Sequence, residues 1–187
     1  VATERLHTQG GLEETGNSRD LAINGEGFFQ IQLPDGETGY TRDGSFQLNA
    51  DGQLVNADGF PLVPNITIDQ AAVGITINQN GQVLLKFDGQ QAETIAGTVQ
   101  LATFQNKAGL EHIGRNLLKT TEASGAATTA NPGTAGFGTL EQGFVEASNV
   151  DPVQEITDLI QAQRGYELNS KVIETADQMM SAINNVR

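Results

Sequence analysis

Residues 49–59 read Asn-Ala-Asp-Gly-Gln-Leu-Val-Asn-Ala-Asp-Gly, the same four-residue word twice at a spacing of seven. Asp tolerates positive φ and Gly takes it freely, so Asp51-Gly52 and Asp58-Gly59 suit tight turns between short strands. The same punctuation continues outward in both directions as Asn24-Gly25, Asp35-Gly36, Asp43-Gly44, Asn80-Gly81 and Asp88-Gly89. Between these pairs lie Phe28–Leu33, Ser45–Leu48, Gly74–Ile77, Gln82–Phe87 and Thr98–Phe104, which alternate or are rich in β-branched residues. The chain is therefore predicted to be mainly β, with a hairpin-rich all-β domain over 21–120. A repeated Asp-Gly word also raises calcium binding. The spacing of seven fits neither an EF-hand nor a nonapeptide roll, and no Glu follows at a twelfth position, so two consecutive turns are the better reading.

Around this domain the pattern changes. Residues 1–20 read as a connecting segment, and 121–148 as a loop and return segment, because 122–140 is small and polar with neither helical nor strand period. Residues 149–187 are predicted to form one long helix. Asn149 and Asp151 offer cap acceptors, Pro152 occupies the first helical position where no N–H is missed, and Gln154 completes a capping box. No later Pro interrupts the run to Val186, which spans about 52 Å at a rise of 1.5 Å per residue. Leu159, Ala162, Tyr166, Ile173, Ala176, Met180 and Ile183 repeat at a 3,4 spacing broken by Asn169, Val172 and Met179 flank them, and Ile156 precedes them. A domain of about 148 residues has a radius of gyration near 15 Å, too small to cover such a helix. The apolar face is expected to pack on helices outside these residues, and a helix folded back on its own domain is the alternative.

Composition narrows the function. The 187 residues carry a formal charge of −13, of which 1–148 contribute −10. Phosphate backbones repel such a surface, so nucleic acid is excluded as an expected partner. Cysteine is absent, which removes disulfide frameworks, thiol nucleophiles and cysteine metal sites. No run of about 20 apolar residues occurs and the first twenty positions are charged throughout, so neither a membrane span nor a secretory signal is expected. His7 and His112 stand alone without a metal-binding cluster, and no Gly-x-Ser-x-Gly elbow occurs. Gly25-Glu26-Gly27-Phe28-Phe29-Gln30 begins like a dinucleotide fingerprint but lacks the third Gly and leads into a strand, so a hairpin is expected there. The abundant acids select no carboxylate pair for glycoside chemistry. No catalytic residue, metal ligand or cofactor site is therefore expected.

Gly25-Glu26-Gly27-Phe28-Phe29, then Tyr40-Thr41-Arg42-Asp43-Gly44-Ser45-Phe46, then Gly52-Gln53-Leu54-Val55 and Gly59, resemble the hairpin signature of bacterial flagellar axial proteins, the rod and hook family. Gln142–Asp151 and Gln163–Lys171, followed by Thr175–Met179, resemble that family's carboxy-terminal module. The opening Val1–Gly10, the stretch Ile113-Gly114-Arg115-Asn116-Leu117 and the short middle are most similar to rod members, since a hook protein would carry a larger insertion.

The resemblance implies a structural subunit exported through the flagellar type III apparatus and assembling helically across the periplasm to carry torque from motor to hook. Its implied partners are copies of itself, other axial proteins of proximal rod and hook, and the ring bushing around the rod, with no membrane embedding. It further implies that 149–187 line an inner coiled-coil tube with the β domain outside. The family's amino-terminal helix, with its Asn-Asn-Leu-Ala-Asn-type motif, is not among these residues and is the expected partner of that helix. Within the family the alternative is another axial protein, of proximal rod or hook, and two other classes compete with the family reading, a carbohydrate-active enzyme and a binding module of phage-tail or adhesin type.

Overall fold

The computed structural model describes residues 8–89 and 92–184, with helix side chains described through Met180. Two compact units meet at Ala147 and Ser148. The first contains β1 Leu12–Glu14, β2 Leu21–Asn24, β3 Phe28–Gln32, β4 Thr38–Thr41, β5 Gln47–Leu48, β6 Leu54–Val55, β7 Leu62–Val63 and β8 Ala72–Ile77. It continues with β9 Gln82–Phe87, β10 Thr94–Thr98, β11 Leu101–Thr103, β12 Glu111–Gly114, β13 Leu117–Lys119, β14 Thr128–Ala130, β15 Thr139–Gln142 and β16 Phe144–Glu146. The second unit is a single helix, α1 Pro152–Asn184, of 33 residues.

The first unit is organised around β3. One edge pairs with β4 from Phe29↔Thr41 to Gln32↔Thr38, and the other is shared by β11 at Phe28–Phe29 and β7 at Gln30–Ile31. The largest sheet runs β12-β13-β4-β3-β11-β14, beside a three-stranded sheet β10-β9-β8 and the pairs β1-β16, β2-β15 and β5-β6. With partners on both edges and cover on both faces, β3 buries its first four residues, Gln30 among them, and exposes only Gln32. Phe29 enters the main core beside Phe46, Leu21, Ile23 and Leu101, while Phe28 enters a second cluster with Tyr40, Phe104 and Leu118. Phe29 and Phe46 meet edge to face at 5.1 Å between centroids, and Tyr40 and Phe104 at 4.8 Å. Such pairs contribute about 0.5–1.5 kcal/mol beyond the area they bury.

The two Asn-Ala-Asp-Gly words and the Asn-Gln-Asn-Gly of 78–81 form one recurring turn. At Asn49, Asn56 and Asn78 the side-chain Oδ1 accepts the N–H groups two and four residues on, at 2.9–3.2 Å. Each backbone loop is closed by a glycine N–H donating to the Asn carbonyl, at 2.9–3.0 Å. Gly52 stands at φ 75°, the left-handed residue that a three-residue hairpin loop requires. The amide oxygen is thus engaged by backbone, which accounts for the repeat without a bound ion.

Several expectations change. Asn24-Gly25 closes no hairpin, because β2 pairs with β15 while β3 pairs elsewhere, and the bend over 25–27 carries the chain between sheets. Asp43-Gly44 closes none either. Gly44 lies against β2, where its carbonyl accepts the Leu21 N–H at 3.0 Å. Its φ is not left-handed, and a Cβ there would sit 1.6 Å from the Leu21 carbonyl oxygen, so close approach, not turn type, demands the glycine. The run Thr98–Phe104 is split between β10 and β11. Residues 122–140, read as a loop, contain β14, which pairs with β11, and the start of β15, which pairs with β2. The connecting segment 1–20 contains β1, which pairs with β16 of the return segment. These strands have only three or four residues each, too few to show a period of two, so their partners specify them and their own periodicity does not.

Candidate functional site: the assembly surfaces

The helix begins where the cap residues place it. Asp151 Oδ1 accepts the N–H groups of Val153 at 2.9 Å and Gln154 at 3.4 Å, satisfying donors that a helix start otherwise leaves unpaired. Asn149 lies in the bend just before it. Gln154 turns its amide forward to Asp158 at 3.2 Å, unlike the backward reach of a capping box. Val153 through Met180 are exposed except Gly165, which is intermediate. Tyr166 is 78% exposed, Met180 68% and Ile173 63%.

At about 100° per residue, Leu159, Ala162, Tyr166, Ile173, Ala176 and Met180 fall within an arc of about 100°, and Val172 and Met179 widen it on one side. The Ile183 side chain lies outside the described ones. Ile156 does not join this row. With Val153 and Ile160 it forms a second apolar patch that flanks Leu159 over the first two turns, on the side away from Val172 and Met179, a feature that spacing alone contained. Fully burying a Leu, Ile or Met side chain contributes about 1.5–3 kcal/mol, so a partner that covers this helix gains much of its stability from the two patches.

The residues of the hairpin signature converge in the first unit as wiring. Arg42 donates from Nε to Glu146 Oε2 at 2.6 Å, from Nη1 to the carbonyls of Gly25 at 3.0 Å and Gly27 at 2.9 Å, and from Nη2 to Ile23 at 3.2 Å. Asp43 Oδ1 accepts the Ser45 N–H at 3.0 Å and its hydroxyl at 2.6 Å, turning the chain so that Phe46 enters the core. Burial raises the Tyr40 phenol above its ordinary value of 10.0. Arg115 and Asn116, at φ 52° and 60°, form the two-residue turn between β12 and β13. The Arg115 guanidinium pairs with Asp58 at 2.9 Å. His112 is exposed on β12, and His7 lies outside the described residues. Among the described residues no cluster of His, Asp or Glu could hold a metal, and no helix is long and apolar enough to cross a membrane.

A covered β core joined to a long helix with unburied apolar patches is the anatomy of an assembly subunit. Residues 22–85 match the flagellar hook protein FlgE/F/G D1 domain, and 141–186 match the flagellar basal body rod FlgEFG protein C-terminal domain. These two matches define the class, the axial structural proteins of the bacterial flagellum. The chain is 48% identical over 186 residues to the flagellar basal-body rod protein FlgG of Buchnera aphidicola, covering 100% of this chain and 72% of that one. It is 54% identical to FlgG of Caulobacter vibrioides, covering 98% and 70%, and 37% identical to FlgF of the same organism, covering 97% and 71%. The chain belongs to the family of the flagellar basal-body rod protein FlgG, the distal rod protein. It is a structural subunit of the flagellar rod, located in the flagellar basal body.

Proposed function

We propose that this chain polymerises helically as the distal rod, with 149–187 lining the inner tube and the strand-rich unit outside it, and that it carries torque from motor to hook. One observation carries the reading. A helix of 33 residues holds its apolar side chains exposed, and exposed apolar area of this extent marks an interaction surface. The partners of that surface are further copies of the chain along the rod, with the proximal rod and hook at its two ends and the ring bushing around it, between periplasm and outer membrane. The role needs no catalytic group or cofactor. The test is a strain lacking the gene, complemented with the full-length gene bearing Ile173→Asp. Absence of hooks and filaments, with the variant protein still made and exported, supports the reading, and wild-type swimming refutes it.

A further inference from the structure

Glu146 is the last residue of β16, one residue before the first unit ends at Ala147. Its carboxylate is bridged. Oε1 accepts the Gly10 N–H at 3.0 Å, and Oε2 accepts Arg42 Nε at 2.6 Å. Gln9 binds the same bend as Arg42, donating from Nε2 to the Ile23 carbonyl at 3.0 Å and accepting the Gly25 N–H at 3.0 Å. Residues 9–11 and 146–147, at the open end of the β1–β16 ribbon, are thereby fastened to the bend over 23–27, by Gln9 directly and by Glu146 through the Arg42 guanidinium. The side chains of the pair are 22% and 12% exposed, shielded enough that solvent weakens the pair less than one at the open surface.

The ribbon that these ends belong to needs fastening. β1 and β16 share only three residue pairs, Leu12↔Glu146 to Glu14↔Phe144, and an isolated two-stranded ribbon is marginal in water. In this antiparallel pair the chain enters beside Gly10 and leaves beside Ala147 at the same end, where Ala147 donates to the Gly11 carbonyl at 2.8 Å. Pulling the two ends apart would open the ribbon from there, one bond at a time. The Glu146 bridge crosses that end. Four N–H bonds from the planar Arg42 fork resist its displacement, a geometry that a Lys ammonium cannot reproduce.

We propose that Arg42 and Glu146 form a mechanical clamp that holds the entry and exit of the β unit together when force arrives along the chain, Arg42 acting as the positioning residue for Glu146. The proposal rests on the rod reading above. The test compares Arg42→Lys and Glu146→Gln with Arg115→Ala, which breaks the surface pair with Asp58. In the 187-residue chain, hydrogen exchange at Gly10 and Ala147 is expected to quicken about tenfold or more in the first two variants, the scale of losing a hydrogen bond to a charged group. It should stay unchanged at Val83 and Leu85, and throughout the unit in Arg115→Ala. In cells carrying the full-length gene, the clamp variants are expected to swim normally in dilute medium and fail in viscous medium, a load dependence that simple loss of folded protein would not produce. Wild-type exchange at Gly10 and Ala147 in both clamp variants overturns the clamp, as does motility that tolerates viscous load. A gene deletion that leaves swimming intact overturns the rod reading instead, and leaves the exchange result to decide the clamp.

Discussion

The two units of this chain obtain their stability from different sources. Leu21, Ile23, Phe29 and Leu101 are fully buried within the first unit, whereas the large apolar side chains of α1 from Val153 to Met180 are exposed. A core that closes on itself folds with its own chain. A helix in a protein draws most of its stability from packing its apolar face rather than from its own propensity. One unit is thus a finished object and the other a component awaiting neighbours. Substitutions can separate the two, read as the change each makes in the thermal unfolding of the first unit.

The largest change is expected from Gly44→Val. The new Cβ would lie 1.6 Å from the Leu21 carbonyl oxygen, and β2 cannot retreat without losing its pairing to β15 and its place in the core. Calorimetry of the 187-residue chain should find no cooperative transition. Phe29→Ala should follow, because it empties the centre of the main core beside Phe46. Large-to-small changes of this kind cost about 3–5 kcal/mol, which lowers the melting temperature by about 10 °C for a domain of this size. A shift under about 3 °C would mean that the core collapses around the cavity more readily than close packing allows.

Gly52→Val adds two costs, about 1–3 kcal/mol for a β-branched residue held at left-handed φ and the backbone shift needed to clear the Ile68 carbonyl oxygen, 2.4 Å from its Cβ, and should lower the melting temperature without abolishing the transition. The pair Gly44 and Gly52 shows what was legible in the sequence. Both are Asp-Gly words, and both read as hairpin turns. The turn type at Gly52 is specified within five residues, by Asn49 and the Gly itself, so a local reading finds it, although the close approach of the Ile68 carbonyl oxygen is as non-local as the constraint at Gly44. The constraint at Gly44 comes from Leu21, a residue more than twenty positions earlier in the chain. The same division holds elsewhere. Gln82–Phe87 is a strand by its own pattern, and Asp151 caps α1 by local chemistry. The pairing of β1 with β16 and the placing of β14 and β15 join residues with little periodicity over long separations. Arg42 was visible as part of a motif, but its role is written in carbonyls of residues 23–27 and a carboxylate at 146, which no spacing rule connects. The second helical patch at Val153, Ile156 and Ile160 was present in the positions all along and needed only a wheel of about 100° per residue to be seen.

The smallest change in thermal unfolding is expected from Ile173→Asp and Ile156→Asp, which should leave the first unit's transition within about 1 °C, since surface substitutions usually stay within about 0.5 kcal/mol. Both side chains are exposed in this chain, at 63% and 57%, so no buried contact is lost when either becomes charged. Once a partner covers the helix the situation reverses, because burying an unpaired carboxylate is costly. In the full-length protein Ile173→Asp is therefore expected to prevent rod assembly while the strand-rich unit stays folded. Ile156→Asp separates the two patches. If neighbours cover only the row through Tyr166, Ile173 and Met180, cells carrying Ile156→Asp should swim. If the helix is enclosed on both sides over its first turns, they should not, and the defect should match that of Ile173→Asp. Equal and complete loss of hooks in both variants, with unchanged melting of the 187-residue chain, would show that the helix is packed all round in the assembled rod. Its exposure here would then be the surface it gives up on joining its neighbours.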